Sequence, residues 1–380
     1  MMEEKSVGSC PTAGIVTFHK SLSYGGCLQA YATYLLLQDF GYETFFVDYE
    51  NPYEARMKSN AVFRYGTFRE RLAAFVKKSV YHQEEFQKRA FESFHRALPV
   101  TPRSYDNAAD MDEVSADVLL VASDQVWNPK ITGSIDPAFF LDFGVAERRL
   151  SLASSMGSYK LSQDEAVICG KHLERFHSVS VREEFAREQI QDLCHCDVHV
   201  ALDPTLQIEA ERWREYETEP KLDVSDGFIL VFMVSSSPSR YEKILSALRA
   251  RWGIPVVMVR LNSKRVAGVD HIIPATPFEL LWLIDNATFV LTDSFHGIAF
   301  CSNLETPFAA LPNISNNVRL EELLTSMELE DCMIDEADLG TLALNGVTFE
   351  GARAVLDKRR SEDARWLAAA LGKADGSAQC

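Results

Sequence analysis

Strands that alternate with helices through two separate stretches predict an α/β fold: two Rossmann-like, doubly wound parallel-sheet domains facing a cleft. Three observations lead there. Short apolar runs such as "ADVLLVAS" and "FILVFMV" read as parallel strands buried on both faces. Amphipathic segments with their own start and stop signals follow such runs. A polar, charged stretch, "TLQIEAERWREYETEPKLDVSDG", interrupts the alternation in a chain of 380 residues, which is long for one core and comfortable for two. The domains are read as 1–205 and 206–380.

In order, "AGIVTFHK" is a strand and "SLSYGG" a loop. From Cys27 the pattern turns helical, with Leu28, Ala32, Leu35 and Leu36 on one face and a stop at Gly41. "YETFFVDYE" is the next strand. Residues 54–96 read as a charged helical insertion lying over the sheet. "ADVLLVAS" and "RLSLASSMG" are strands. "SQDEAVICGKHLERF" opens on a serine with a glutamate three residues on, a capping box. "HSVSVR" is a strand, "EEFAREQIQDLC" a helix and "DVHVALDP" a strand. After the polar stretch come strand "FILVFMV", helix "SRYEKILSALRARWG" and strand "IPVVMVRL". Helix "PFELLWLIDNA", strand "TFVLTDS", helix "HGIAFCSNLE" and strand "TPFAAL" complete the second set. "EGARAVLDKRRSEDARWLAAAL" is a C-terminal helix.

Composition excludes several classes. A formal net charge of -17 argues against a nucleic-acid partner, which needs a basic footprint. It also argues against electrostatic docking on anionic lipid. No apolar stretch approaches a membrane span, and "MMEEKSVGSCPTAG" lacks the basic flank and apolar run of a signal peptide. The expectation is a cytoplasmic protein, with 8 scattered cysteines that read as reduced thiols.

Ligands of open parallel sheets bind beyond the carboxyl ends of the strands. Here those ends are polar: "DQVWNPK", "REE", "DPT", "SSSPSR" and "DSFHG". In "DSFHG", free N–H groups of a first helical turn favour an anion, and Asp293, Ser294 and His296 crowd that turn. The same residues also fit a capped turn with His296 as a packing residue. Asp124, Gln125, Trp127 and Asn128 crowd another strand end, where an aromatic wall beside amides and a carboxylate would suit a sugar. A buried Trp with a capping Asp is the other reading. Arg182 and Arg319 are candidates for bidentate recognition of carboxylate or phosphate. For Arg182, a surface ion pair with Glu183 or Glu184 is the alternative. Ser235 and Ser236 follow the first strand of the second set as further polar candidates.

Two patterns invite overreading. "CHCDVH" holds Cys194, His195, Cys196 and His199, but Cys196 and His199 fall on opposite faces of a strand and no second ligand pair sits at finger spacing, so no metal is expected. Cys27 lies near a helix start, yet nothing nearby reads as its base, and it is taken as packing.

The blocks "SYGGCLQAYATYLLLQDFGYETFFVDYE", "ASDQVWNP", "LASSMGS", "VSVREE", "LDPTL" and "TDSFHGIAFCSNLETPFAAL" occur in the order seen in the polysaccharide pyruvyl transferase family, which the chain resembles over most of its length. "SDQVWNP" and "TDSFHG" are the specific ones. Ser23 stands where the family commonly has Asn, and Ala122 where it commonly has Gly. The resemblance implies a fold like that of GT-B glycosyltransferases. It implies transfer of pyruvate from phosphoenolpyruvate, as co-substrate and without a further cofactor, onto two hydroxyls of a sugar or lipid-linked glycan acceptor. A lipid-linked acceptor would bring the protein to the inner face of the membrane.

It also implies that Arg182 and His296 lie in donor blocks, with Arg319 at a basic position. The second domain would be the donor side and the first the acceptor side. The chemistry then needs an acid at the donor methylene, assigned to His296, and a carboxylate for the acceptor hydroxyl, Asp124 or Asp203. The rival readings are a GT-B-like glycosyltransferase using a nucleotide sugar and a non-catalytic glycan-binding relative.

Overall fold

A computed structural model describes residues 10–59, 72, 75–76, 79–80, 82–224, 227–234, 238–312, 318–335 and 346–373. The chain divides into two compact units. One holds Ala97–Gln207 with the described parts of 1–61 and 359–380, and the other holds Ile208–Lys358 with the described parts of 62–96.

Two segments therefore group differently from a plain division after residue 205. The C-terminal helix, Glu350–Ala370, joins the first unit from Arg359 on. There Asp363 accepts from Leu202 N at 2.9 Å and lies 2.7 Å from His199 Nε2. Arg359 and Arg360 donate to the carbonyls of Val200 and Leu206 at 3.0 and 2.8 Å. The helix Gln83–Ala97 groups, up to Arg96, with the second unit, where Phe94 meets Phe278 edge-on at 5.5 Å.

The first unit is built on a six-stranded sheet of β1 (Thr12–Val16), β2 (Glu43–Phe46), β3 (Ser115–Val121), β4 (Val145–Ser154), β5 (Ser178–Val181) and β6 (Val198–Val200). Its order is β2-β1-β3-β4-β5-β6 and every pair is parallel. The chain grows from β1 first toward β2 and then toward β3, so the direction of winding reverses there. That is where an open sheet places its ligand crevice. Val16, Leu119, Val121, Val179 and Val181 fill one core under this edge. The expected capping box is present: Ser162 Oγ accepts from Glu165 N, and Glu165 accepts from Ser162 N.

β4 carries a feature that periodicity does not show. Its register against β5 shifts between Ser151 and Ser154, and Ala153 adopts a φ of 51°. The bulge falls at the carboxyl end of the strand, next to the polar residues described below.

The second unit holds a five-stranded sheet of β7 (Ile229–Phe232), β8 (Val256–Val259), β9 (His271–Ile273), β10 (Phe289–Thr292) and β11 (Phe308–Ala310). Its order is β11-β10-β7-β8-β9, again all parallel. Here the winding reverses between β7 and β10. β9 has no counterpart in the sequence reading, because it is three residues long and none of them is fully buried.

Among the described residues no helix is long and apolar enough to cross a membrane. Among the described residues, Cys169, Cys194, Cys196, Cys301 and Cys332 are free thiols.

Candidate functional site

Five strands of the first sheet end in polar residues joined in one hydrogen-bond chain. Gln29 Nε2 donates to Thr17 Oγ1 at 2.9 Å, and Thr17 Oγ1 donates to Ser123 O at 3.0 Å. Ser123 Oγ and Arg182 Nη1 both donate to Asp203 Oδ2, at 3.1 and 2.9 Å. Arg182 Nη2 donates to Ser155 Oγ at 3.0 Å, and Ser155 Oγ donates to Glu183 Oε1. Arg182 Nε also donates to Glu183 Oε1. Thr17, Ser123, Ser155, Arg182 and Asp203 follow β1, β3, β4, β5 and β6, so the chain runs along the carboxyl edge of the sheet.

Arg182, the candidate for bidentate anion recognition, is held by partners of its own unit. It is 9% exposed, and its guanidinium is engaged by groups of its own unit. Burial alone would lower its pKa, but Glu183, Asp203 and Asp124 together hold it above the ordinary arginine value. Three carboxylates around one guanidinium leave this edge acidic. The alternative of an ion pair with Glu183 is half met: the pair forms, buried rather than at the surface. Asp203, at 2% exposure, also caps the turn that follows it, with Oδ1 accepting from Thr205 N and Thr205 Oγ1.

Asp124 has a φ of 83°, a conformation that costs energy outside glycine. Its carbonyl accepts from Val126 N and Ser155 N, at 2.8 and 3.0 Å, which locks the turn. Its Oδ2 lies 3.5 Å from where a Cβ on Gly26 would sit, at the start of the helix Tyr24–Asp39. That helix has no acidic residue in its first turn and no side-chain cap, so the Asp124 carboxylate supplies negative charge where the dipole favours it.

The aromatic wall expected at Trp127 is not offered to a ligand. Trp127 is 1% exposed, its Nε1 donates to Phe139 O at 2.8 Å, and its ring stacks on Phe140 at 5.1 Å. A large ring whose N–H finds a carbonyl is most stable inside the core. Gln125 and Asn128 bond to each other: Asn128 Nδ2 donates to Gln125 Oε1 at 2.7 Å, and Asn128 Oδ1 caps the helix Pro129–Thr132.

Sequence reasoning did not single out Ser123 or Ser155, and named Glu183 only as a surface partner of Arg182. It also passed over His19, Lys20, Asp48 and Ser104, a second cluster where β1 and β2 end. Burial would raise the Asp48 pKa, but hydrogen bonds from His19, Lys20 and Ser104 and the Lys20 charge hold it well below the carboxylate range.

In the second unit the site gathers after β10. Asp293 is buried and its Oδ1 accepts from Val234 N at 2.7 Å, tying the end of β10 to the residue beyond β7. Ser294 is the N-cap of the helix Phe295–Leu304, accepting from Gly297 N at 3.3 Å. Gly297 leaves no room for a side chain, since a Cβ there would lie 2.2 Å from Thr292 Oγ1. Phe295 and His296 are half-buried on the first turn. Their rings meet edge-on at 5.2 Å, and the Arg319 guanidinium carbon lies 5.0 Å over the Phe295 ring. His296 and Arg319 therefore share one neighbour, while Asp293 and Ser294 build the turn. Ser235 and Ser236 lie outside the described residues.

The two strand edges differ chemically. That of the first unit gathers buried carboxylates and hydroxyls around Arg182. That of the second presents an imidazole, a guanidinium and a helix start, suited to an anion.

A family model described as Polysaccharide pyruvyl transferase matches residues 24–316, most of the chain. No curated protein matches. Among solved structures, a UDP-N-acetylglucosamine 2-epimerase superposes with a TM-score of 0.53 at 10% identity, covering 98% of each chain. The UDP-N-acetylglucosamine 2-epimerase of Rickettsia bellii gives 0.49 at 11%, covering 96% of each. A UDP-glucosyltransferase of Polygonum tinctorium gives 0.42 at 12%, covering 98% of this chain and 96% of that one. The first likeness is one of fold alone, a GT-B-like arrangement of two parallel sheets with interleaved helices.

Proposed function

The chain belongs to the polysaccharide pyruvyl transferase family, and from that premise we propose that it moves pyruvate from phosphoenolpyruvate onto two hydroxyls of a sugar in a polysaccharide or its precursor. The observation that carries the reading is the turn after β10, where His296 and Arg319 converge on Phe295 at a capped helix start. Phosphoenolpyruvate bears a phosphate and a carboxylate and needs cationic partners.

The steps balance without a cofactor. His296 gives a proton to the methylene carbon of phosphoenolpyruvate, and the enol carbon becomes an oxocarbenium-like centre. One sugar oxygen bonds to that centre and its proton leaves to a base. Phosphate then departs with the C–O bonding pair, and the second hydroxyl closes the ketal and loses its proton. Asp124 and Asp203 are the carboxylates proposed on the acceptor side, in the first unit. Arg319 carries charge for the donor in the second unit. Arg182 fixes Asp203 and Glu183 within the first unit. The acidic balance of the chain argues for a glycan rather than nucleic acid, and we place the protein in the cytoplasm, at the inner face of the membrane when its acceptor is lipid-linked.

The test is phosphate release from phosphoenolpyruvate across a panel of sugar acceptors, with mass spectrometry of the product. A mass gain equal to one pyruvate ketal is expected. Transfer of a hexose from a nucleotide sugar, with no phosphate release from phosphoenolpyruvate, would overturn the reading in favour of a glycosyltransferase. Sugar binding without either reaction would leave a glycan-binding relative.

A further inference from the structure

We propose that Phe295 is a positioning residue of the donor site, holding the Arg319 guanidinium over its ring face while its contact with His296 sets the place of the imidazole. The inference rests on the donor reading of this turn, and the geometry behind it is local. Phe295 opens the first turn of its helix, and that turn is fixed from three directions: Asp293 holds Val234 N, Ser294 caps Gly297 N, and Gly297 sits against Thr292 with no space for a Cβ. The ring therefore leaves a backbone that has little freedom to move. It is half-buried, and its neighbours include a cation at 5.0 Å from its centroid and an imidazole at 5.2 Å.

An aromatic ring is suited to this place for a specific reason. Arg319 and a protonated His296 are like charges and repel. The face of a benzene ring carries partial negative charge and attracts a guanidinium. A ring that contacts both groups offsets part of that repulsion. Leucine or methionine would fill the volume but would not hold the cation.

The experiment uses the full-length protein and three substitutions, Phe295→Leu, Phe295→Met and Phe295→Tyr, the second in case the first fails to fold. Calorimetry with phosphoenolpyruvate should show the Leu and Met variants binding roughly 3- to 30-fold more weakly, the range expected for a lost cation–π contact. Phe295→Tyr should stay within about 2-fold of wild type, since phenol keeps the ring face. In steady state the KM for phosphoenolpyruvate should rise more than kcat falls. In an Arg319→Ala background, Phe295→Leu should add little further loss, because the two residues act as one unit. Equal donor binding by wild type and both aliphatic variants, or full additivity with Arg319→Ala, overturns the proposal.

One readout does not depend on the proposed function. The Arg319 side-chain NMR signals should lie upfield in wild type through the ring current and move downfield in Phe295→Leu. Absence of that shift sinks the placement of Arg319 on the ring whatever the enzyme does. A shift present in a wild type that does not bind phosphoenolpyruvate sinks the donor reading and the donor role of Phe295 with it.

Discussion

Arg182 donates from Nη1 to Asp203 Oδ2 at 2.9 Å, and both side chains are more than nine-tenths buried. A buried ion pair contributes little net stability over an apolar pair, but removing one partner strands the other charge. Arg182→Ala leaves Asp203 and Glu183 without their common counter-ion and is expected to cost about 3–5 kcal/mol in urea unfolding. Adding Asp203→Asn to that variant should restore part of the loss. A double variant no more stable than Arg182→Ala would show that the pair is not coupled.

Both members of that pair are strand-end residues, and strand ends were legible in the sequence. Among the described residues, apolar runs mark ten of the eleven strands, and Ser162 with Glu165 marks a helix start that forms as read. Pairings across sequence were not legible. Arg182 meets Glu183 next to it, which sequence can suggest, but it meets Asp203 only because β5 and β6 are neighbours in the sheet. The bulge at Ala153 depends on the same neighbour relation. Trp127 shows a different limit: residue type cannot tell a ring that stacks on a sugar from one that stacks on Phe140.

Trp127 gives the second prediction. Trp127→Ala should cost about 3–5 kcal/mol as a large core truncation. Trp127→Phe should keep the fold and leave the acceptor KM unchanged, because the ring it replaces faces protein. A well-folded Trp127→Phe enzyme with a tenfold higher acceptor KM would return this side chain to the sugar site.

Glu217 makes stability depend on pH. Burial and the charge of Asp285 raise its pKa from 4.5 to about 7, against the lowering effect of Arg214. The folded state therefore holds this proton more tightly than the unfolded chain does. The stabilisation is present below pH 4.5 and is lost as pH rises from there to about 7. Glu217→Gln removes that dependence. Its melting temperature relative to wild type should be higher at pH 8 than at pH 5, and an equal difference at both would refute the assignment.

The last prediction concerns His296, on the turn that Asp293, Ser294 and Gly297 hold in place. Its imidazole is half-buried beside Phe295, and Phe295 carries Arg319. In the proposed reaction Arg319 and the helix start bind the donor, whereas His296 supplies the proton that turns the enol carbon into an electrophile. Binding and protonation are then separable. His296→Asn keeps a hydrogen-bonding group of similar reach but cannot act as a general acid. It is expected to retain most donor affinity in calorimetry and to lose roughly 10²-fold or more in turnover, the usual scale for a missing acid. Arg319→Ala should show the opposite pattern, with weak donor binding and a smaller loss of turnover at saturation. Gly297→Ala tests the scaffold beneath both. Its Cβ would fall 2.2 Å from Thr292 Oγ1, so the first turn must shift and both properties should suffer together. A His296→Asn enzyme with near-normal turnover would remove the imidazole from the chemistry. The same turn would then read as a capped helix start whose histidine serves only to pack.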